Sequence, residues 1–436
     1  METIYVQTHG CSANVVDSES MMGLLVESGF KLADEIEYSD IIILNICTVK
    51  GSHVALKEIK NFTKHFPEKK LIVAGCITKP LVASIRKISQ EAALVNTHNI
   101  HRIVEIVEEL LHGNIMEALT IENTIKADLP GIRTNNVIGI VPIASGCSDR
   151  CAYCSVKLIK GNIFSYPESS IINAVKKNVK DGCKEIWITS QDSGAYGLDN
   201  GKRGLPKLLD EILEEVQGNY KIRLGMINPG HVKYIADDII QIFQDDRMFK
   251  FLHIPVEAGN NEVLGKMNRK YNVHEFKEMI EKFKRYVKGI TIATDIIVGF
   301  PTETELQFQD SLHLIQEIKP DVINISRFSS RPNTKAERMK QVSSNIKKER
   351  SKALTDLFLT IALKQNKKWI GWKGKILIDE IGKDNTWIGR NFAYKPVIVK
   401  GNYKLGDNID VEIKDVTAHD LRVNIPAEKI EISSKI

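Results

Sequence analysis

Short apolar runs alternate with amphipathic stretches throughout the first 125 residues. The runs resemble buried strands: IYVQTHG (4–10), IIILN (41–45) and LIVAG (71–75). Between and after them, SESMMGLLVESG and IHRIVEIVEELLHG carry apolar residues at helical spacing. Strands that alternate with helices in this way predict a small doubly wound parallel sheet in residues 1–125.

The same rhythm recurs six times in residues 126–334. Its strand candidates are VIGIVPIAS, EIWITSQD, IRLGMINP, FLHIPVEAG, ITIATDIIVGF and DVINISRFS. Charged amphipathic segments such as LPKLLDEILEEV and NVHEFKEMIEKFKRYV lie between them. Six strand–helix units predict a partial (β/α)6 barrel, with its chemistry at the mouth formed by the carboxyl ends of the strands.

The pattern changes again near the C-terminus. Residues 335–366 keep a helical apolar rhythm and predict a basic helical bridge. Residues 367–436 contain five short alternating runs separated by Gly, Asn and Asp turns, and so predict a small all-β barrel. These runs are WKGKILIDEIG, TWIGRNF, KPVIVKG, DNIDVEIKD and AHDLRVNI.

Composition and charge narrow the class of protein. Residues 1–334 carry 39 basic and 42 acidic side chains, net −3, whereas residues 335–436 carry 21 and 13, net +8, so the C-terminal quarter is the candidate for binding a polyanion. No apolar run approaches the 18 residues of a membrane span. The N-terminus lacks a charged leader followed by an apolar core, and cysteines are few, so we expect a cytoplasmic protein.

Three of the seven cysteines fall in one eight-residue window, SGCSDRCAYCS. Cys147, Cys151 and Cys154 begin directly after the first barrel strand and predict a metal site. Three thiolates can hold three irons of a four-iron cluster and leave the fourth iron open. Structural zinc would need a further ligand, and the next cysteine is Cys183, which we interpret as structural. A disulfide with a spare thiol is a second alternative.

Three other cysteines each follow a predicted strand of the N-terminal sheet. Cys11, Cys47 and Cys76 come one or two residues after the three apolar runs. Because the carboxyl ends of parallel strands share one edge, we expect these thiols to converge into a second three-thiolate site. The alternative is that each is a buried core cysteine, as free cysteines often are.

Together these motifs resemble the radical S-adenosylmethionine methylthiotransferases. CxxxCxxC is the signature of radical S-adenosylmethionine enzymes, and its combination with GCSANVVDSE, NIC and AGC is similar to the methylthiotransferases. The resemblance extends through LHIPVEAGNNEVLGKMNRKY, DIIVGFPTET and FSSRPNTKA. ITSQDSGAYG and RLGMINPGHV are most similar to the archaeal and eukaryotic branch that acts on tRNA N6-threonylcarbamoyladenosine.

This resemblance implies two 4Fe-4S clusters and S-adenosylmethionine as cofactors. The cluster on the barrel would bind S-adenosylmethionine and generate a 5′-deoxyadenosyl radical, and the cluster on the N-terminal sheet would carry the sulfur. Transfer of a methylthio group to C2 of the adenosine next to the anticodon is the implied reaction. Its C2–H bond is not acidic, so hydrogen abstraction by a radical suits the chemistry. The implied partners are tRNA, an electron donor protein and a sulfur source.

Further residues at the barrel mouth are candidates for cofactor contact. Tyr153 lies between two cysteine ligands and is expected against an adenine ring, with plain packing as the alternative. Gln191, Asp192 and Glu257 follow strands at the mouth, where solvated loop positions are the alternative. Gly299 and Pro301 would let backbone approach the adenine, or simply shape a turn.

Three positions depart from the family pattern. Glu257 stands where glutamine is more usual, which puts a negative charge in place of a neutral amide. Tyr166 replaces a frequent arginine, and the Lys160-Gly161 pair replaces a common Arg-Gly. None of the six predicted cysteine ligands is altered.

The C-terminal module resembles the TRAM domain, a small RNA-binding β-barrel. Within GRNFAYK, basic and aromatic side chains alternate and are predicted to contact RNA, by phosphate pairing and base stacking. These residues are Arg390, Phe392, Tyr394 and Lys395. The alternative is a slightly basic, solvated face of the barrel.

Three functions remain open from the sequence. The first is a tRNA methylthiotransferase. The second is a radical enzyme of the same architecture that acts on a ribosomal-protein aspartate, or on another tRNA adenosine. The third is an RNA-binding protein with iron–sulfur clusters that are structural or redox-sensing. The basic bridge and GRNFAYK favour RNA, and the open cluster positions favour an enzyme.

Overall fold

The N-terminal part is a six-stranded, wholly parallel sheet with helices on both faces. A computed structural model describes residues 2–48 and 52–423 of the chain. The strand order is β2-β1-β3-β4-β5-β6. The strands are β1 Thr3–Thr8, β2 Lys31–Leu32, β3 Ile41–Ile46, β4 Lys70–Gly75, β5 Ala93–Asn96 and β6 Glu117–Ala118. The helices are α1 Ser12–Glu27, α2 Ser52–His65, α3 Lys79–Arg86 and α4 Ile103–Leu111.

The sequence of β3 explains its place at the centre of this sheet. All six of its residues are buried, because helices cover both faces, and a parallel strand in that position needs a continuous apolar run rather than an alternating one. Two hydrophobic clusters form accordingly, one on each face of the sheet. The predicted doubly wound sheet is confirmed, with the short edge strands β2 and β6 added.

The central part confirms the predicted six-stranded partial barrel. Its strands run in parallel in chain order, as two three-stranded sheets joined by a bridge between Ile222 and Met248. The strands are β7 Ile138–Pro142, β10 Glu185–Thr189, β11 Lys221–Leu224, β12 Phe251–His253, β13 Thr291–Val298 and β14 Val322–Arg327, with the short pair β8 Ala144–Ser145 and β9 Phe164–Ser165 beside the mouth. The helices are α5 Val156–Lys160, α6 Glu168–Lys180, α7 Leu205–Glu215, α8 Pro229–Val232, α9 Ala236–Ile242, α10 Asn261–Lys266, α11 Val273–Tyr286 and α12 Glu305–Ile318.

A long helix connects the barrel to the C-terminal module. This helix, α13, spans Ser344–Lys367 and begins at Ser343, whose side chain accepts a hydrogen bond from the backbone of Ile346. The module that follows is all-β, as predicted, and forms a curled sheet of six strands where the sequence indicated five, in the order β18-β15-β16-β17-β20-β19. Its strands are β15 Lys373–Ile381, β16 Thr386–Arg390, β17 Pro396–Lys400, β18 Asn408–Glu412, β19 Asp415–Val416 and β20 Leu421–Arg422.

The two outer parts pack against opposite ends of the barrel. At the carboxyl ends of the barrel strands, Ser12 of α1 lies 3.2 Å from Thr189 of β10, measured between hydroxyl oxygens. At the amino ends, the module's Tyr394 donates to Glu185, the first residue of β10. The barrel mouth therefore faces the N-terminal sheet, and the module covers the other end. No helix in the described part of the chain is long and apolar enough to cross a membrane.

Candidate active site

The loop that carries Cys147, Cys151 and Cys154 leaves the barrel mouth between β8 and β9. These two strands pair and so hold the two ends of the loop together. Gly146 begins the loop with φ of +72°, and a Cβ atom there would lie 1.9 Å from the carbonyl oxygen of Asn162, so only glycine fits. The loop conformation is therefore fixed by backbone geometry at its base.

Backbone hydrogen bonds also fix the middle of this loop. Ala152 donates to the carbonyl of Met267 and accepts from Ala336, both at 2.9 Å. The Cys154 amide donates to the Cys151 carbonyl at 3.1 Å. The segments around Met267 and Ala336 thus anchor the middle of the loop.

The three thiols of this loop lie in a region that opposes their ionisation. Burial raises the pKa of Cys147 to about 12 and that of Cys151 to about 11, and it raises the pKa of Cys154 as well. Arg269 acts in the other direction, because its Nη1 donates to the Cys151 sulfur at 3.1 Å. Metal binding requires deprotonated thiols. The positive charge of a bound metal would therefore have to offset the cost of ionising these three thiols in a partly buried loop. Three cysteines on one short, partly buried loop with a cationic partner fit an iron–sulfur cluster.

Glu257 and Tyr153 meet beside this loop. The Tyr153 hydroxyl donates to Oε1 of Glu257 at 2.8 Å, and the Tyr153 ring packs edge-on against Phe300. Burial raises the pKa of Glu257 to about 7, opposed by Arg269 and reinforced by Asp295. Glu257 also has a φ of +70°, which is unusual for a residue with a side chain. Both residues lie at the mouth, and cofactor contact by them stays a prediction.

Asp192 and Gln191 lie next to the cysteine loop at the end of β10. Oδ1 of Asp192 accepts from the backbone amides of Gly194 and Asn228, each at 3.1 Å. Its other oxygen faces Nε2 of His231 at 3.4 Å. Gln191 Oε1 is buried and has no hydrogen-bond partner among the described residues. Gln191 Oε1 and the second oxygen of Asp192 are therefore buried acceptor atoms without a hydrogen-bond donor among the described residues.

Sequence reasoning missed several polar residues that complete this region. Arg269 donates to Asn228 and to the carbonyl of Pro255, as well as to Cys151. Asn228 in turn donates to Asp149 in the cysteine loop. The only sequence signal was that Arg269 and Asn228 fall within motifs of the family resemblance, NRKY and INPGHV.

Gly299 has a packing role in the structure, and Pro301 is buried in the same turn. The Gly299 amide donates to Glu303 at 2.7 Å, and Glu303 is paired with Arg350 of α13. A Cβ on Gly299 would lie 2.4 Å from the side chain of Lys347 on the same helix. The turn is thus shaped by its contact with α13. Approach of this backbone to an adenine stays a prediction.

Cys11, Cys47 and Cys76 follow β1, β3 and β4, three adjacent strands of the sheet. A hydrogen bond between the Cys47 and Cys76 thiols, together with burial, raises the pKa of Cys76 well above its usual range. Cys11 is exposed at the start of α1, with its sulfur 3.5 Å from Oδ1 of Asn14. The cysteines therefore lie at one edge, as strand topology requires. Cys183 is buried elsewhere, in the barrel core.

A buried polar network lies beside this second group of cysteines. Lys126 forms an ion pair with Asp17. Thr97 donates to Asp17 at 2.6 Å and accepts from Lys126 at 2.8 Å and from Lys160 at 3.2 Å. Lys160 is the last residue of α5 in the barrel, and His98 holds the preceding carbonyl at 3.0 Å. The network thus joins the barrel to the N-terminal sheet. The one indication of this network in the sequence was that Lys160 departs from the family pattern.

The residues predicted to bind RNA do not form an exposed face. Tyr394 and Lys395 are buried, and Arg390 is 14% exposed. Tyr394 donates to Glu185 at 2.7 Å, and Lys395 donates to Asp321 at 2.8 Å. Their charge and aromatic surface are used to dock the module on the barrel, because neighbouring acidic groups of the barrel and of the module itself pair with them.

Arg390 and Phe392 also make contacts within the protein instead of forming the predicted RNA-binding face. Arg390 pairs with Asp379 and Glu380 of its own module and lies over the Tyr394 ring. Phe392 is half-buried and packs against Trp369 and Trp372. The sequence pattern of alternating basic and aromatic residues therefore marks an interface between domains here.

The sequence matches three family models that together span most of the chain. They are the Radical SAM superfamily over residues 141–315, the Uncharacterized protein family UPF0004 over residues 3–97, and the TRAM domain over residues 370–423. The first contains the barrel cysteines, and the second contains Cys11, Cys47 and Cys76. The third coincides with the C-terminal module.

Curated relatives and solved structures agree with these matches. A Homo sapiens protein named threonylcarbamoyladenosine tRNA methylthiotransferase is 35% identical, over 96% of this chain and 73% of its own length. A Pyrococcus horikoshii protein, named as a probable enzyme of the same kind, is 38% identical over 96% of this chain and 98% of its own. Among solved structures, the radical S-adenosylmethionine methyltransferase TsrM from Kitasatospora setae has a TM-score of 0.53 at 12% identity, covering 75% of this chain and 73% of its own, which supports the fold alone.

Proposed function

Because the chain belongs to the threonylcarbamoyladenosine tRNA methylthiotransferases of the radical SAM superfamily, we propose that it adds a methylthio group to C2 of N6-threonylcarbamoyladenosine next to the tRNA anticodon. In this proposal it uses two 4Fe-4S clusters, and S-adenosylmethionine serves as methyl donor and as radical source. The observation that carries the proposal is the convergence of Cys11, Cys47 and Cys76 at the sheet edge that faces the barrel mouth. A single-cluster enzyme needs no second set of three thiols.

Cys147, Cys151 and Cys154 hold the first cluster. Bound there, the cluster supplies an open iron and an electron for reductive cleavage of S-adenosylmethionine. Arg269 stabilises the Cys151 thiolate through its 3.1 Å hydrogen bond to the sulfur. At this end of the barrel, the loop holds the three sulfurs in place and Arg269 neutralises part of their charge.

The mouth residues bind and orient S-adenosylmethionine and the adenosine. Gln191 and Asp192 present acceptor atoms to hydroxyl or ammonium donors of the cofactor. Tyr153, held by Glu257, offers one edge of its ring to an adenine. The N-terminal sheet lies over the mouth and limits the entry of water, which suits a reactive radical.

The tRNA partner needs a surface other than that of Arg390, Tyr394 and Lys395, and a groove that includes Phe392 has suitable chemistry. Trp369, Trp372 and Phe392 line a groove of about 580 Å³ together with Lys288 and Lys368. Both lysines are exposed, so they are available to phosphates, and the aromatic rings are available to unpaired bases. We assign part of the tRNA contact to this groove.

Reversing charge in this groove tests the assignment. The variant Lys288→Glu/Lys368→Glu is expected to bind tRNA more weakly, with a shallower dependence of affinity on salt concentration because fewer counterions are released. The matched control is Lys180→Glu, an exposed lysine of α6 on the barrel. Equal affinities for the two variants in a filter-binding assay would contradict the assignment.

Nucleoside mass spectrometry tests the reaction itself. Cells that lack this protein are expected to lose the 2-methylthio derivative of N6-threonylcarbamoyladenosine and to regain it on complementation. An unchanged level, with a newly unmodified aspartate on a ribosomal protein, would favour the protein-modifying alternative. The enzyme also requires an electron donor protein and a sulfur source, which the living cells supply in this experiment.

Iron analysis tests the two clusters separately. Anaerobically reconstituted protein is expected to hold about eight irons and eight sulfides per chain, and about four of each after Cys11→Ala or Cys147→Ala. Cys183→Ala is the control, because this buried cysteine belongs to neither group, and it should leave the count unchanged. A count near four in the unaltered protein would refute the two-cluster proposal.

A further inference from the structure

Two ammonium groups and one carboxylate are buried together at the contact between the barrel and the N-terminal sheet. Lys126 and Asp17 form an ion pair, and both side chains are under 10% exposed. Lys160 is also buried, with Thr97 as its hydrogen-bond partner at 3.2 Å. With all three groups ionised, the network carries one net positive charge. An isolated charge buried away from water is strongly destabilising, so this excess needs an anion nearby.

The network lies at the sheet edge that carries the second group of cysteines. The Thr97 amide donates to the carbonyl of Gly75 at 3.0 Å, and Gly75 directly precedes Cys76. The Cys76 amide in turn donates at 3.0 Å to Ile46, which directly precedes Cys47. The bonds run from Lys160 through Thr97 to the backbone of two of the cysteines, so the ammonium group and the thiols share one small region.

The cysteine sulfurs are the candidates for the missing anion, because ligation to iron requires them as thiolates. Burial acts to lower the pKa of Lys160, but the negative charge of Asp17, followed by the sulfurs of Cys76, Cys11 and Cys47 when they are ionised, raises it. Three thiolates around a four-iron core of charge 2+ leave one negative charge, which equals the excess positive charge of the network.

We propose that Lys160 is the counter-charge of the iron–sulfur cluster held by Cys11, Cys47 and Cys76, and that it raises the reduction potential of that cluster. This inference rests on the two-cluster proposal above. Lys160 does not contact a reacting atom and is a positioning residue. Lys160 belongs to the barrel, so a charged residue of the barrel would tune the reduction potential of a cluster bound by the N-terminal sheet. Removing that charge disfavours the more negative, reduced state of the cluster.

The test uses the full-length chain with Cys147, Cys151 and Cys154 replaced by alanine, so that only the second cluster remains. Its midpoint potential is measured by redox titration followed by electron paramagnetic resonance. Lys160→Met is expected to shift the potential to a more negative value, and Lys160→Arg to keep it near that of the parent. Lys180→Met, which removes an exposed charge from α6, is the matched control.

A second set of variants separates charge from packing. Lys126→Met removes the partner of Asp17 and leaves that carboxylate to neutralise Lys160, so it should also lower the potential. Adding Asp17→Asn to Lys126→Met restores one net positive charge and should return the potential toward the parent value.

Two results would overturn the inference, and they are distinguishable. If the background variant binds no iron, the two-cluster proposal fails and this inference fails with it. If iron binds but Lys160→Met moves the potential no more than Lys180→Met does, only the role of Lys160 is refuted. A low potential that persists in Asp17→Asn/Lys126→Met would also refute it, because packing rather than charge would then be the cause.

Discussion

Replacing Glu257 with glutamine is expected to stabilise the metal-free protein in a pH-dependent way. Burial raises the pKa of this carboxyl from 4.5 to about 7 in the folded protein. Between these values the folded state binds more protons than the unfolded state, so stability falls as pH rises from about 4.5 to 7 and then levels off. Glutamine keeps the acceptor for the Tyr153 hydroxyl but has no charge to bury.

The size of the stability difference follows from the pKa shift of Glu257. A difference of about 2.5 pKa units corresponds to about 3 kcal/mol at 1.36 kcal/mol per unit. The advantage of Glu257→Gln should therefore be near zero at pH 4.5 and reach about 3 kcal/mol above pH 7.

Chemical denaturation under anaerobic, reducing conditions measures this difference at several pH values between 5 and 8.5. The matched control is Glu281→Gln, an exposed glutamate of α11, which should show no such trend. Parallel stability curves for the wild-type protein and Glu257→Gln across this range would refute the claim that the carboxyl is buried at a cost. A loss of stability in Glu257→Gln at high pH would show that its negative charge is compensated.

Two further substitutions test the domain contact and the cysteine loop. Tyr394→Phe removes the donor to the buried Glu185 and should cost about 1–3 kcal/mol in chemical denaturation, whereas the exposed Tyr286→Phe should cost little. Gly146→Ala places a Cβ against a carbonyl and should lower reconstituted iron toward the count of one cluster, whereas Gly182→Ala, at a glycine of positive φ with open space around it, should not. Equal denaturation midpoints for the two tyrosine variants, or an unchanged iron count in Gly146→Ala, would contradict these interpretations.

Local patterns were sufficient to predict the candidate ligands. The spacing of Cys147, Cys151 and Cys154 is a property of one loop, and nothing distant is needed to recognise it. Cys11, Cys47 and Cys76 are far apart in sequence, but each follows a strand, and parallel topology brings such positions to one edge. The placement of these cysteines could be predicted because it depends only on periodicity and on the geometry of parallel sheets.

The role of GRNFAYK could not be predicted from the same kind of pattern. Alternating basic and aromatic residues suit RNA, but they equally suit a buried contact that contains acidic partners. Glu185 and Asp321, which bond to Tyr394 and Lys395, lie 209 and 74 residues away in the chain. Whether such a segment faces solvent or another domain depends on how the domains dock.

The apolar rhythm of the chain determined its three-part architecture, and the cysteine spacing determined its candidate cluster ligands, because both arise from local sequence. The electrostatic environment of those ligands was decided only by the tertiary structure. Arg269 reaches Cys151 across 118 residues, and Lys160 reaches Thr97 across 63. Charges act through space and are strengthened by burial, so their effect emerges only when the barrel and the N-terminal sheet pack together.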